Sequence, residues 1–114
     1  MDWGKVTYIF LTLMSLTTTV GFLYEATAIA LFIAAAVNII STILKIGVKN
    51  LLAAELLASS LVADLHLIPA FLVMVTTGNM KLVFALALGA VIANVVSMAL
   101  SLIESAKSQD KDDY

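Results

Sequence analysis

Asp64, His66 and Pro69 interrupt a stretch, LLASSLVADLHLIPAFLVMV at 56–75, whose length and composition are those of a membrane-spanning helix. A carboxylate at that depth has two physical options. It takes up a proton because desolvation disfavours its charge, or it stays ionised beside a cation, an amide donor or a protonated imidazole. The first is proton-carrier chemistry, and the second is a cation site, for potassium for example, or a structural pair. Histidine is the side chain that ordinarily changes charge near neutral pH, which makes His66 a candidate for responding to a gradient. At 100° per residue, however, Asp64 and His66 point about 160° apart, so one metal ion does not readily take both. Pro69 frees the carbonyl of Leu65, which either adds a cation ligand near Asp64 or simply bends the helix.

The solvent for this chemistry follows from composition. Of 114 residues 62% are hydrophobic and 12% charged, with a mean hydropathy of +1.09, values that describe an integral membrane protein. With no cysteine, disulfides and thiolate metal sites are excluded. A net charge of −2 without a basic patch gives no reason to expect nucleic acid. A single histidine and no nucleophile with a base at suitable spacing argue against an enzyme, and neither a cofactor nor a metal site is expected.

A bilayer core takes about 20 helical residues, and the chain divides into spans at about 3–23, 26–45, 51–75 and 81–103. Lys5 precedes the first span as in a signal peptide, but the apolar stretch outruns a typical h-region and lacks a small-x-small cleavage site. It reads as a permanent span. Tyr24-Glu25, KIGVKN at 45–50 and TTGNMK at 76–81 are short connections that imply antiparallel neighbours. The expected fold is therefore all-α: a polytopic domain over 1–104 built as two antiparallel hairpins. The tail at 105–114 reads as polar and cytoplasmic, its end disordered. Lys5, Lys45, Lys49, Lys107 and Lys111 fall on one side and Lys81 on the other, which places both termini in the cytoplasm. Trp3, Tyr8 and Tyr24 fall where interfacial anchors are expected.

At an offset of 56, FIAAAVNIISTIL matches LGAVIANVVSMAL at Ala34/Ala90, Asn38/Asn94, Ser41/Ser97 and Leu44/Leu100. This is either a parallel internal repeat or coincidence in a simple composition. Span two carries Ala26, Ala30, Ala34, Asn38 and Thr42 at four-residue intervals, and span four Ala85, Gly89, Ala93, Ser97 and Ser101. Small side chains let backbones approach, so both stripes read as packing seams with no chemistry required. Span three differs, because Glu55, Ser59, Val62 and His66 lie on one face and Asp64 on nearly the opposite one. A lipid-facing charge at mid-depth costs about 2.5–3.5 kcal/mol, so both faces need cover. Four helices rarely cover both faces of one of them, hence the expectation of a homo-oligomer or a larger membrane-protein partner.

Asp64 and His66 fall near the middle of span three, Asn38 and Asn94 slightly cytoplasmic of the middle, and Thr12 and Ser15 mid-span. The candidate ion or proton pathway is Asp64, His66, Asn38, Asn94 and Glu55. Glu55 has a plainer reading, as a partner of Lys49 or Lys45 or a residue at the water interface.

Small multidrug transporters share this length and span count but carry their essential carboxylate in the first span, which here has none. Val37-Asn38 is similar to the second helix of small fluoride channels, whose Gly-Thr-rich third helix is absent. The Gly repeats of rotor-ring subunits are also missing. LTLMSLTTT and ISTILKIGVKNLLAAELLASSLVADLHLIPAF resemble a family of short inner-membrane proteins of unknown function from epsilon-class proteobacteria. That resemblance implies a bacterial inner-membrane home and no particular activity. The leading expectation is an ion channel or ion-coupled transport protein with Asp64 in its path. The rival is an accessory subunit whose polar layer docks it to a larger complex.

Overall fold

The computed structural model describes residues 3–46 and 53–112. The described residues form four helices and no strand: α1 (Trp3–Tyr24), α2 (Ala28–Lys45), α3 (Ala53–Thr76) and α4 (Met80–Asp112). All four are long and apolar enough to cross a membrane, α4 through its Met80–Lys107 portion. The linker beyond Ile46, with Lys49, and the expected start of span three at 51 lie outside the described residues. α4 does not stop at 103. It runs on to Asp112, because the polar tail up to that point holds neither glycine nor proline and helical hydrogen bonds do not require apolar side chains.

Local sequence explains the ends. Thr27 sits in extended conformation and its hydroxyl accepts the N–H of Ala30, so α2 begins two residues later than hydropathy suggested. α3 closes at Gly78, whose φ of +68° lets its N–H return to the carbonyl of Val73. A side chain is strained in that conformation, which is why glycine stands there. Pro69 does not interrupt α3, which is continuous to Thr76. The carbonyl it frees belongs to Leu65, a residue that is 70% exposed on the outer side of α3.

α1 packs on α2 and α4, and α3 packs on the same two helices; among the described residues the backbones of the diagonal pairs stay apart. Register shows in the contacts themselves. Lys45 of α2 meets Ser60 of α3 while Thr42 meets Asp64, and Ser59 of α3 meets Ser97 of α4. Lys5, at the start of α1, donates to the carbonyl of Ser105, late in α4. Neighbours therefore run antiparallel, and Lys5, Lys45 and Ser105 share one end of the bundle. Trp3 and Tyr24 are exposed at opposite ends of α1.

The bundle interior changes character along its length. Toward the end that holds Tyr24, buried Phe22, Leu31, Leu67, Ala70, Val83, Ala87 and Ala90 form an apolar cluster, with the Phe22 and Phe84 rings 6.0 Å apart. Toward the other end the buried side chains are largely polar, including Thr12, Ser15, Thr42, Lys45, Ser60, Asp64, Ser97 and Ser101. Outward-facing positions such as Phe10, Ile29, Leu65 and Ile92 are apolar and exposed, as suits contact with lipid.

The two small-residue stripes are used differently. A strict four-residue interval drifts about 40° per step, so neither stripe stays on one face. Ala34, Asn38 and Thr42 are buried, whereas Ala30 is half-buried; on α4, Ala93, Ser97 and Ser101 are buried, Gly89 is half-buried and Ala85 exposed. Gly89 does not meet backbone. A Cβ there would stand 2.8 Å from His66 Nε2, so the glycine makes room for the imidazole. Ala34→Leu should then cost about 1–3 kcal/mol through overpacking. Gly89→Ala, which only has to displace a half-exposed ring, should cost about 1 kcal/mol or less. Unfolding titrations in detergent test the ranking, and equal costs would contradict it.

Candidate functional site

Asp64 lies on the inward face of α3 with Ser60, Ala63 and Leu67, and is 8% exposed. Its Oδ2 accepts a 2.6 Å hydrogen bond from the hydroxyl of Thr42 on α2, while Oδ1 is buried and has no partner. One turn away on both helices lies a second rung, where Lys45 Nζ donates to Ser60 Oγ at 2.6 Å. Lys45 is 4% exposed, and its ammonium stands 5.6 Å from the centroid of the Tyr8 ring. The lysine and the aspartate thus face one interior from neighbouring turns and interact electrostatically.

The lysine count places Lys45 on the side that holds Lys5 and says nothing of where its side chain points; the ammonium turns inward over the Tyr8 ring. Its stem is long enough to point either way, and hydropathy does not record direction. Glu55 is exposed near the start of α3 and its expected pairing with Lys45 is not formed, since Lys45 reaches Ser60 instead. Lys49, the other partner considered for it, lies outside the described residues.

Asn38 and Asn94 meet a different group. Both side-chain amides donate to the hydroxyl of Thr19, at 3.3 and 3.1 Å, and that hydroxyl donates to the carbonyl of Ser15 at 2.6 Å. One donor and two acceptor positions exhaust a threonine hydroxyl, so this knot of α1, α2 and α4 is saturated. The asparagines matched at an offset of 56 converge on one atom, and the matched pairs Ala34/Ala90 and Ser41/Ser97 are buried as well. Their hydrogen bonds tie α1, α2 and α4 together. Removing the acceptor with Thr19→Val should lower stability by about 1–2 kcal/mol, the scale of two interhelical bonds in a bilayer. Denaturing-detergent titration measures this, and unchanged stability would contradict the knot.

His66 is not brought to Asp64. Its Nδ1 lies 2.7 Å from the carbonyl of Val62, and its half-buried ring rests over Gly89 in an outward groove lined by Ser59, Val62, Ile92, Ala93 and Val96. α3 is therefore polar on opposite faces, as its spacing indicated, with Asp64 covered by the chain's own helices and His66 left at the periphery. Among the described residues no three His, Cys, Asp or Glu side chains converge on a point where a metal could sit.

A model describing a family of unknown function, DUF6394, matches residues 25–105. The chain belongs to DUF6394. No curated protein and no solved structure matches it. The matched segment of this DUF6394 chain spans α2, α3 and most of α4, and so holds both rungs of the site and both asparagines. Thr19 and Tyr8 precede it.

Sequence reasoning singled out Asp64 but not its immediate surroundings. Ser60 and Asp64 at i, i+4 with Thr42 and Lys45 at i, i+3 are the spacings that place two polar rungs across an antiparallel pair, and that joint pattern was the available signal.

Proposed function

We propose that this protein is a small ion-coupled membrane transport protein, not an enzyme, and that it moves protons with Asp64 as the carrying group. The observation that supports this most is the state of the Asp64 carboxyl. It is enclosed by the bundle with one oxygen held by Thr42 and the other unpartnered. A proton suits this setting better than potassium, because one hydroxyl and one carboxylate cannot replace a hydration shell and the Lys45 ammonium on the next turn repels a metal cation. Polar buried groups lie between Asp64 and the end that holds Lys5, which is taken as cytoplasmic from the distribution of lysines. The apolar cluster around Phe22 seals the other half, so exchange runs from one side at a time and the far side opens by a movement of the helices.

Docking to a larger complex through the polar layer is less well supported, since Asp64 is buried in the bundle and Asn38 and Asn94 donate inside it. The groove at His66, Gly89 and Ala93 favours a narrower version, with a second copy or another membrane protein over the α3–α4 face. Reconstituting the purified chain alone into vesicles separates the readings. Proton flux above that of protein-free vesicles fits a transporter. A folded chain with no flux, which co-purifies one copy to one unrelated larger subunit, fits an accessory role.

A further inference from the structure

The hydroxyl of Thr42 has one proton and two acceptors within reach. Asp64 Oδ2 lies at 2.6 Å and the carbonyl of Asn38, one turn back on α2, at 2.9 Å. A hydroxyl can donate only once, so the two bonds represent alternative states. When Asp64 is ionised, Thr42 donates to Oδ2. When Asp64 is neutral, Oδ2–H donates to Thr42 Oγ1 and the threonine proton swings to the Asn38 carbonyl. We infer that Thr42 is a two-position hydroxyl switch that accommodates both charge states of Asp64 within the closed bundle, and that the neutral carboxyl carries its proton on Oδ2. The alternative location, Oδ1, offers no acceptor and would leave a buried O–H unpaired.

The step balances in protons. An incoming proton forms the O–H bond at Oδ2, Thr42 keeps its own proton and only rotates it, and departure reverses both. No heavy atom has to move for the Thr42–Asp64 hydrogen bond to form in either state. Thr42 is thus a positioning residue that acts through Asp64. Other charged or titratable groups on the surrounding helices are Lys45 on α2, Lys5 and Tyr8 on α1 and Glu104 on α4, with His66 on the outward side of α3. Their signals must be separated from that of Asp64.

The inference rests on Asp64 being an exchanging acid, and the test reads that separately from transport. Infrared spectra of the protein in lipid nanodiscs are recorded across pH, each as a difference from the matching Asp64→Asn protein, so that only the Asp64 carboxyl remains. Wild type should show both carboxylic acid and carboxylate bands. Thr42→Ser, which keeps the hydroxyl, should titrate as wild type. In Thr42→Val the carboxylate band should be lost over the range in which wild type shows both, and proton flux should fall about tenfold or more. Thr42→Ala serves as the second variant should valine fail to fold. A valine or alanine protein that titrates like wild type overturns the switch. If Asp64→Asn transports normally, the reading of Asp64 as carrier fails, while the infrared comparison still decides the role of Thr42.

Discussion

Lys45→Met should destabilise the bundle by about 1–3 kcal/mol, and adding Asp64→Asn should recover part of the loss. Methionine keeps the length and apolar stem of the lysine, so packing is largely retained. What disappears is a charge-assisted bond to Ser60, ordinarily worth about 1.5–3 kcal/mol, and a cation over the Tyr8 ring. Against this, the variant no longer has to desolvate an ammonium, which is why the net cost stays below the sum of the lost contacts. The larger consequence falls on Asp64, whose carboxylate loses the buried cation on the turn beside it. Asparagine has no charge to compensate, so the two substitutions should couple by about 0.5 kcal/mol or more. A double-mutant cycle by denaturing-detergent titration gives that number. Strict additivity would mean that the two groups do not sense each other.

Asp64→Asn should leave the fold in place and remove proton movement. The amide has nearly the shape of the carboxyl, and its oxygen can accept from Thr42 as Oδ2 does, so stability should change by about 1 kcal/mol or less. An amide cannot bind and release a proton near neutral pH. Proton flux should therefore fall to the level of protein-free vesicles while helix content and elution in detergent match wild type. If assembly fails and neither form shows flux, Asp64 is a packing group.

How far these features were visible beforehand depended on what kind of information each required. Helix number and approximate extent followed from apolar length alone, and the opposed directions of Asp64 and His66 followed from 100° per residue; both are properties of a single helix. The partner of Asp64 is a property of two helices. It depends on the rotation of α2 and α3 about their axes, and Thr42 was visible only as a member of a small-residue stripe. That stripe misled at its ends, because an interval of four drifts around the helix; Ala85 is exposed while Ala87 and Ala90, off the stripe, are buried. The inward turn of Lys45 is equally a matter of side-chain direction, which its place at the end of a span does not record. Thr19 was not singled out, and it became important only when Asn38 and Asn94 were seen to converge on it.

Proton uptake by vesicles that contain only this chain, driven by an imposed membrane potential and followed with an interior pH dye, tests the central claim most directly. Wild-type vesicles should acidify faster than protein-free vesicles, and Asp64→Asn vesicles at equal protein density should match the protein-free rate. Equal acidification by wild type and Asp64→Asn, or none by a folded wild-type chain, would contradict the assignment of Asp64 as the carrying group.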